Sequence, residues 1–439
     1  MKLLFPFLLL LPVCLYSQKK APHTPHASLD KINKIAENYV RLGLAIGEYD
    51  SDFVDAYYGP DSLKPVTVKQ EVFPKDSFLT RANKLMMQLR LFFDDQDVTA
   101  SNRAKWLFNQ LTAFTRRIKW FAGEKSTFDT EAKELFDASP PHYDEKHFKG
   151  LLKDLDNLLP GTGALNERFQ ALANHFIIPD DKLDTVLKTA IAESQRRTKQ
   201  HYALPANENF RLEFVNNKSW TGYNWYKGNY QSLIQYNTDA VSFADRAIDI
   251  AAHEGYPGHH VYNSLLEKNI YHDKGWVEIS LYPLFSPQSL IAEGSANYGI
   301  DVAFPGADRI IFLKEILLPL AALDTSGITK YFAALAIRSK LQDVTTEITR
   351  RIINGTMTDA EALRWLMEYR LMNEKDAGRS LAFSKKYHSY VINYNYGQSI
   401  VRKYIEERGG KEKNPAKRWE LFQWLLSNEL SASRLIGLK

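Results

Sequence analysis

Cysteine is almost missing from this chain of 439 residues; the single copy, Cys14, sits in an apolar leader. Once that leader is removed no thiol remains, so disulfides and thiolate metal sites are excluded and any metal set must be built from His and carboxylate. An excess of one charge is also missing, since 56 Lys and Arg against 52 Asp and Glu leave +4 at pH 7. Basic residues are interspersed with acidic ones, and no Lys/Arg stripe argues for nucleic acid or an anionic membrane. Lys19-Lys20 and Arg350-Arg351 read as solvated tail or helix charges. Long apolar runs are lacking after the leader. Ile310–Leu323 comes nearest, and Lys314 and Glu315 interrupt it well short of a membrane span. No internal repeat and no long low-complexity linker is present.

The N-terminus, from Met1 to Ser17, has one lysine, then an apolar run too short for a comfortable span, then a small residue at a cleavage point. This is the pattern of a secretory signal peptide. Lipidation at Cys14 is the less favoured alternative, because Val13 is a poor residue before a lipobox cysteine. The expected product is exported, periplasmic or extracellular, with an unassigned oligomeric state. Its length suggests one large two-lobed unit or two domains: a leader over 1–17, a helical lobe over 18–205 and a catalytic lobe over 206–439.

What is present is helical periodicity. Leu29–Ile46, Phe78–Phe93, Ala104–Phe121 and Asp181–Gln200 carry apolar faces at helical spacing, Thr358-Asp-Ala-Glu361 forms a capping box, and Pro415 opens a late helix. Strand signals cluster at Phe210–Val215 and Tyr230–Tyr236. The expected fold is mainly α, with a small β-sheet beside the active-site helix. An exposed sheet edge there can hold an extended peptide by backbone hydrogen bonds. The aromatic stretch Trp220–Tyr230 reads first as core packing and loop anchoring, and second as cleft lining.

One octet argues chemistry: His253-Glu-Gly-Tyr-Pro-Gly-His-His260. Neutral imidazole is a common zinc ligand, and a Glu beside a ligating His can take a proton from water. The simple H-E-x-x-H helix is absent, because Pro257 stands where its second His belongs. On a straight helix His253 and His260 would lie roughly 10 Å apart along the axis, too far for one ion. A Pro-Gly bend folds the extra residues away and brings His259, or second His260, beside His253. A distant carboxylate, Glu293, would complete a two-His, one-Glu set and leave one position open. Ala292 and Ala296 would let its helix approach the His helix closely. Asp249, Asn297 and Asp301 are the candidates for orienting an imidazole from behind.

His-Glu-x-x-Pro-Gly-His-His followed by Glu293-Gly-x-Ala-x-Tyr298 resembles the domain-of-unknown-function 885 family of bacterial proteins, itself similar to the gluzincin zinc metallopeptidases. The resemblance implies a gluzincin-like two-lobed architecture and one zinc ion per chain on His253, His259 and Glu293. It implies Glu254 as general base and Tyr394 as the hydroxyl that stabilises an oxyanion; apart from the resemblance, His388 is the second choice of donor. The implied activity is hydrolysis of peptides. Three positions depart from the family pattern: Glu347 where Asp343 is usually followed by His, Ser295 where Trp is usual, and Tyr396-Gly397-Gln398 in place of Pro-Gly-Gln. Those departures motivate one rival, a non-catalytic exported binding protein with a structural metal; hydrolysis of another amide or ester by the same water-activating groups is a third reading.

Overall fold

Apolar residues at three- and four-residue spacing shape most of this chain into helices. The computed structural model describes residues 26–66, 69–218, 220–239 and 241–438; the leader 1–17 and Cys14 lie outside them. His26–Gly47 buries Ile32, Ala36 and Val40 on one face. It packs with Lys75–Arg90 and with Val98–Phe121, whose Asp97 cap accepts from Thr99 N. Asp180–Lys199 begins with Asp180 and Asp181 and ends with Arg196, Arg197 and Lys199, matching the helix dipole at both ends. The capping box at Thr358 heads Asp359–Tyr369, and Pro415 sits at the first turn of Pro415–Leu426.

The result is mainly helical with two small sheets. β1 (Val54–Tyr57) pairs antiparallel with β5 (Leu281–Pro283). The second sheet contains β2 (Asn209–Val215), β3 (Gly222–Gly228) and β4 (Gln231–Asn237) in the order β2-β4-β3. β2 runs parallel to β4 and β3 antiparallel to it. Both strands read from the sequence are present. β3 lies inside the aromatic stretch, where its strand character was hidden. The tight β3–β4 turn places Gly228, Asn229 and Tyr230 at positive φ, and the buried Glu267 carboxylate accepts from Asn229 N and Tyr230 N at 2.9 and 3.1 Å. Backbone donors with no strand partner are satisfied in this way.

One apolar core runs from the first helix to the last, and a satellite cluster surrounds Phe148, Trp365 and Tyr369. Two bidentate ion pairs are buried in the core region. Arg103 meets Glu278 at 2.6 and 2.9 Å, and Arg117 meets Asp50 at 2.6 and 2.9 Å. Removing either partner of such a pair strands a buried charge at a cost of about 3–5 kcal/mol. Among the described residues no helix is long and apolar enough to cross a membrane.

Candidate metal centre

The octet begins on Ala244–Ile250, widens into a π-type turn over Ala251–Gly255, breaks at the cis Tyr256-Pro257 bond and resumes as His259–Leu266. Gly258 is required for the fold-back: a methyl group there would sit 1.9 Å from the His253 carbonyl oxygen. The backbone therefore returns on itself with no room for a side chain. The bend puts His259 next to His253, with ring centroids 4.7 Å apart and planes at 88°.

Glu293 arrives on Pro287–Ala303, which Ser286 caps and Pro287 opens. This helix crosses Ile392–Glu407 at a glycine pair. A Cβ on Gly294 would fall 2.3 Å from the Gly397 carbonyl carbon, and one on Gly397 would fall 2.8 Å from Leu290 O. The same helix meets the His turn through Gly299, where a Cβ would lie 3.3 Å from Pro257 Cγ. Three elements thus converge without intervening side chains. Glu293 Oε2 lies 3.4 Å from His253 Nε2 and 3.6 Å from His259 Nε2, and the three residues' ligand atoms all lie within 4.8 Å of one another.

The spacing is informative. Both contacts are long for a hydrogen bond, and Oε2 is buried with no hydrogen-bond partner among the described residues. A tetrahedral ion with bonds of about 2.1 Å sets its ligand atoms about 3.4 Å apart. The donor set, two neutral nitrogens and one carboxylate oxygen, suits zinc. Tyr390 donates its hydroxyl to the other oxygen, Oε1, at 2.9 Å and so aims Oε2 at the histidines. His253 Nδ1 meets Asn297 Oδ1 at 3.0 Å, while Asn297 Nδ2 donates to the Tyr394 carbonyl at 3.1 Å. That second bond fixes the amide's orientation, so Oδ1 accepts from Nδ1–H and Nε2 is left as a lone-pair donor.

Charge is arranged to match. Burial opposes protonation of His259, yet Glu293, with Glu254 and Asp55 behind it, outweighs this and lifts the imidazole to about 9. Burial opposes ionisation of Glu293 as well, but His259 and His253 hold it far below the usual carboxylate range. Both shifts show that the pocket favours positive charge among these three residues.

The other residues singled out from the sequence divide sharply. Glu254 and Tyr394 line the same cleft, which encloses about 850 Å³. A Cβ on Gly222 of β3 would meet Glu254 Oε1 at 3.1 Å, so the carboxylate stands against the sheet edge. Burial, and then Glu293 and Glu254, raise Tyr394 well above an ordinary phenol, which keeps its hydroxyl protonated. His260 is turned away and fully buried between Ser232 of β4 at 2.9 Å and Glu208 at 2.8 Å. It pins the sheet to the His helix. Asp249 binds Arg246 and Arg309 rather than an imidazole, and Asp301 binds Arg402. His388 stacks on Trp120 and bonds Glu131. Glu347 accepts from Tyr143 N and Arg350 in a separate cleft.

Sequence reasoning missed Tyr390 and Asp55. Tyr390 lies four residues before Tyr394, in the turn that leads into its helix, and lines the same cleft; that spacing could have revealed it. Asp55 had no local signal. It reaches the cleft through β1, where it accepts the Tyr223 hydroxyl, and burial lifts its pKa to about 6.

No protein-family model matches the chain, and no curated protein matches it in sequence. Solved structures do resemble it. A candidate lipoprotein from Colwellia psychrerythraea superposes with a TM-score of 0.51 at 14% identity, over 82% of this chain and 65% of that one. The chain therefore spans about 65% of that protein's length, and at this identity the likeness concerns the fold alone. Metallocarboxypeptidase 1 of Trypanosoma cruzi gives a TM-score of 0.48 at 10% identity over 94% of this chain and 95% of that one. The M32 carboxypeptidase of Deinococcus radiodurans R1 gives 0.43 at 10% identity over 93% and 94%.

Proposed function

We propose that the protein is an exported zinc-dependent hydrolase acting on peptide bonds, and that its octet marks kinship with the domain-of-unknown-function 885 family. The observation that carries this reading is the buried, unbonded Glu293 Oε2 at 3.4 and 3.6 Å from two imidazole nitrogens. His253, His259 and Glu293 would hold one zinc ion. Zinc in such a set supplies Lewis acidity, lowering the pKa of its bound water towards neutrality and polarising a carbonyl.

The remaining work falls to the chain's own groups. Glu254 accepts the proton of the attacking water and hands it to the departing amine. Tyr394 donates its hydroxyl to the carbonyl oxygen as that oxygen becomes negative, a contribution of roughly 3–4 kcal/mol for comparable donors. Asn297 holds the His253 tautomer, and Tyr390 holds Glu293. The substrate backbone lies along β3, which pairs with β4 on one side only within its sheet and whose first residues, Gly222 to Asn224, line the cleft.

The test is zinc content together with hydrolysis of a mixed peptide pool. Wild type is expected to carry one zinc per chain and to cleave; Glu254→Gln is expected to keep the zinc and lose turnover by two or more orders of magnitude. A Glu254→Gln protein that cleaves as fast as wild type removes Glu254 from its role. The rival, a non-catalytic binding protein, is favoured by one observation, the engagement of Glu347 with Tyr143 N and Arg350 away from the cleft. Zinc binding with no turnover by wild type would decide for it.

A further inference from the structure

Resting on that reading, we propose that the cleft takes its substrate by a free, positively charged amino group, which Asp55 binds beside the metal ligands. The enzyme would then act from the amino end of its peptide.

Asp55 is a carboxylate with an unusual set of neighbours. β1 carries it to the wall shared with Glu254, His259 and Glu293. Its Oδ1 accepts the Tyr223 hydroxyl from β3, and no Lys or Arg pairs with it among the described residues. Asp55 is half-buried, and a carboxylate partly withdrawn from water is ordinarily paired or hydrogen-bonded. One left without a cation in a cleft is a candidate for ligand binding. Burial raises its pKa to about 6, against the pull of Tyr223 and His259.

A substrate carboxylate has far less to bind. Arg246 and Arg309 in the cleft wall both answer Asp249, and Arg402 answers Asp301 at 2.7 Å. Lys340 is exposed. The arginines that could recognise a carboxyl end are therefore engaged by carboxylates, whereas Asp55 meets a neutral hydroxyl and no cation. Tyr223 also fixes Asp55 against the strand on which the peptide backbone would lie, so the amine and the first peptide bonds can be held together.

The experiment compares one heptapeptide in two forms, free amine with an amidated C-terminus and acetylated amine with a free carboxylate, on zinc-loaded wild type and Asp55→Asn. Wild type is expected to cleave the free-amine form at least tenfold better in kcat/KM. Asp55→Asn keeps an acceptor for Tyr223, and it should abolish the preference mainly through KM. Equal cleavage of the two forms by wild type, or preference for the acetylated one, overturns the inference and leaves the peptidase reading standing. If neither form is cleaved, that reading fails, and calorimetry with L-leucinamide decides this one separately. Binding of leucinamide but not of its N-acetyl derivative, lost in Asp55→Asn, supports the amine subsite. Absence of leucinamide binding to wild type refutes it.

Discussion

Gly294→Ala should damage the centre without touching a ligand. The added Cβ would lie 2.3 Å from the Gly397 carbonyl carbon and 2.5 Å from its oxygen, where ordinary contact begins at 3.4 Å. Both opposing atoms are backbone, so no side chain can swing aside. The two helices must separate by about 1 Å, and overpacking of this kind costs about 1–3 kcal/mol of stability. Glu293 precedes the substituted residue and bridges the same gap: Oε1 accepts from Tyr390 on the far side at 2.9 Å, and Oε2 faces the histidines at 3.4 and 3.6 Å. It cannot keep both contacts. Misplacement by about 1 Å at a reacting centre costs on the order of 10²-fold in rate, and a loss of zinc affinity of similar size is expected. Gly299→Ala is the internal control on the same helix. There the nearest atom is Pro257 Cγ at 3.3 Å, which needs a shift of only a few tenths of an ångström. Alanine's better helix propensity, about 1 kcal/mol, offsets the crowding. Zinc affinity by chelator competition, kcat/KM on a cleaved peptide and thermal unfolding should be measured for both. If Gly294→Ala holds zinc within twofold of wild type at unchanged Tm, the glycine crossing does not set the geometry of Glu293.

Asn297→Leu leaves His253 Nδ1 without its acceptor and should weaken zinc binding about 10- to 100-fold; an unchanged affinity would mean the tautomer is held otherwise. Zinc affinity should also depend on pH in a stated direction. The ion-free His259 sits near 9, so below that pH zinc must displace its proton, and apparent affinity should rise about tenfold per unit from pH 7 to 9 and then flatten. Calorimetry at pH 7.5 in buffers of different ionisation enthalpy should find about one proton released per ion from this residue; a pH-independent affinity contradicts the assignment. Glu131→Gln tests a remote support. Glu131 is buried and accepts from Ser389 N at 3.1 Å and Ser389 Oγ at 2.8 Å, with His388 Nδ1 at 3.1 Å, clamping a non-glycine residue at φ 51° just ahead of Tyr390. The substitution should weaken zinc binding severalfold, and adding His388→Gly, which adopts that φ freely, should restore it. Failure of the glycine to rescue assigns Glu131 a different role.

Helices were legible because their apolar spacing, caps and charged ends act over a few neighbouring residues. The breaks at Thr358 and Pro415 and the run Asp180–Lys199 were readable for that reason. β3 was not, because its aromatic residues suit a core, a loop or a strand equally and only pairing with β4 decides. Within the octet, the sequence supplied the residues but not the choice between His259 and His260. That choice depends on which way the chain leaves Gly258, and on Glu208 and Ser232, which claim the second imidazole from distant segments. Ala292 and Ala296 looked like the small residues that admit a neighbouring helix. Both are buried, and Gly294 and Gly299 of the same helix also meet neighbours closely, on two different faces. Spacing shows that a helix can be approached, not which partner approaches it.

The two residues that sequence reading missed share a cause. Asp55 enters the cleft only because β1 pairs with β5, more than two hundred residues later, and Tyr390 meets Glu293 only because two glycines let their helices touch. Neither contact leaves a trace in local composition. The proposed metal ligands need just two short stretches, 253–259 and 293. Orienting them requires Asn297, Tyr390 and, through the strained turn at His388, Glu131 from the N-terminal half. Holding a substrate amine would require Asp55 from the same half. A protein truncated to residues 206–439 would therefore retain His253, His259 and Glu293 while losing Asp55 and the Glu131 clamp. Recombining it with the separately expressed remainder should restore zinc affinity before, and independently of, any selectivity for a free amino end.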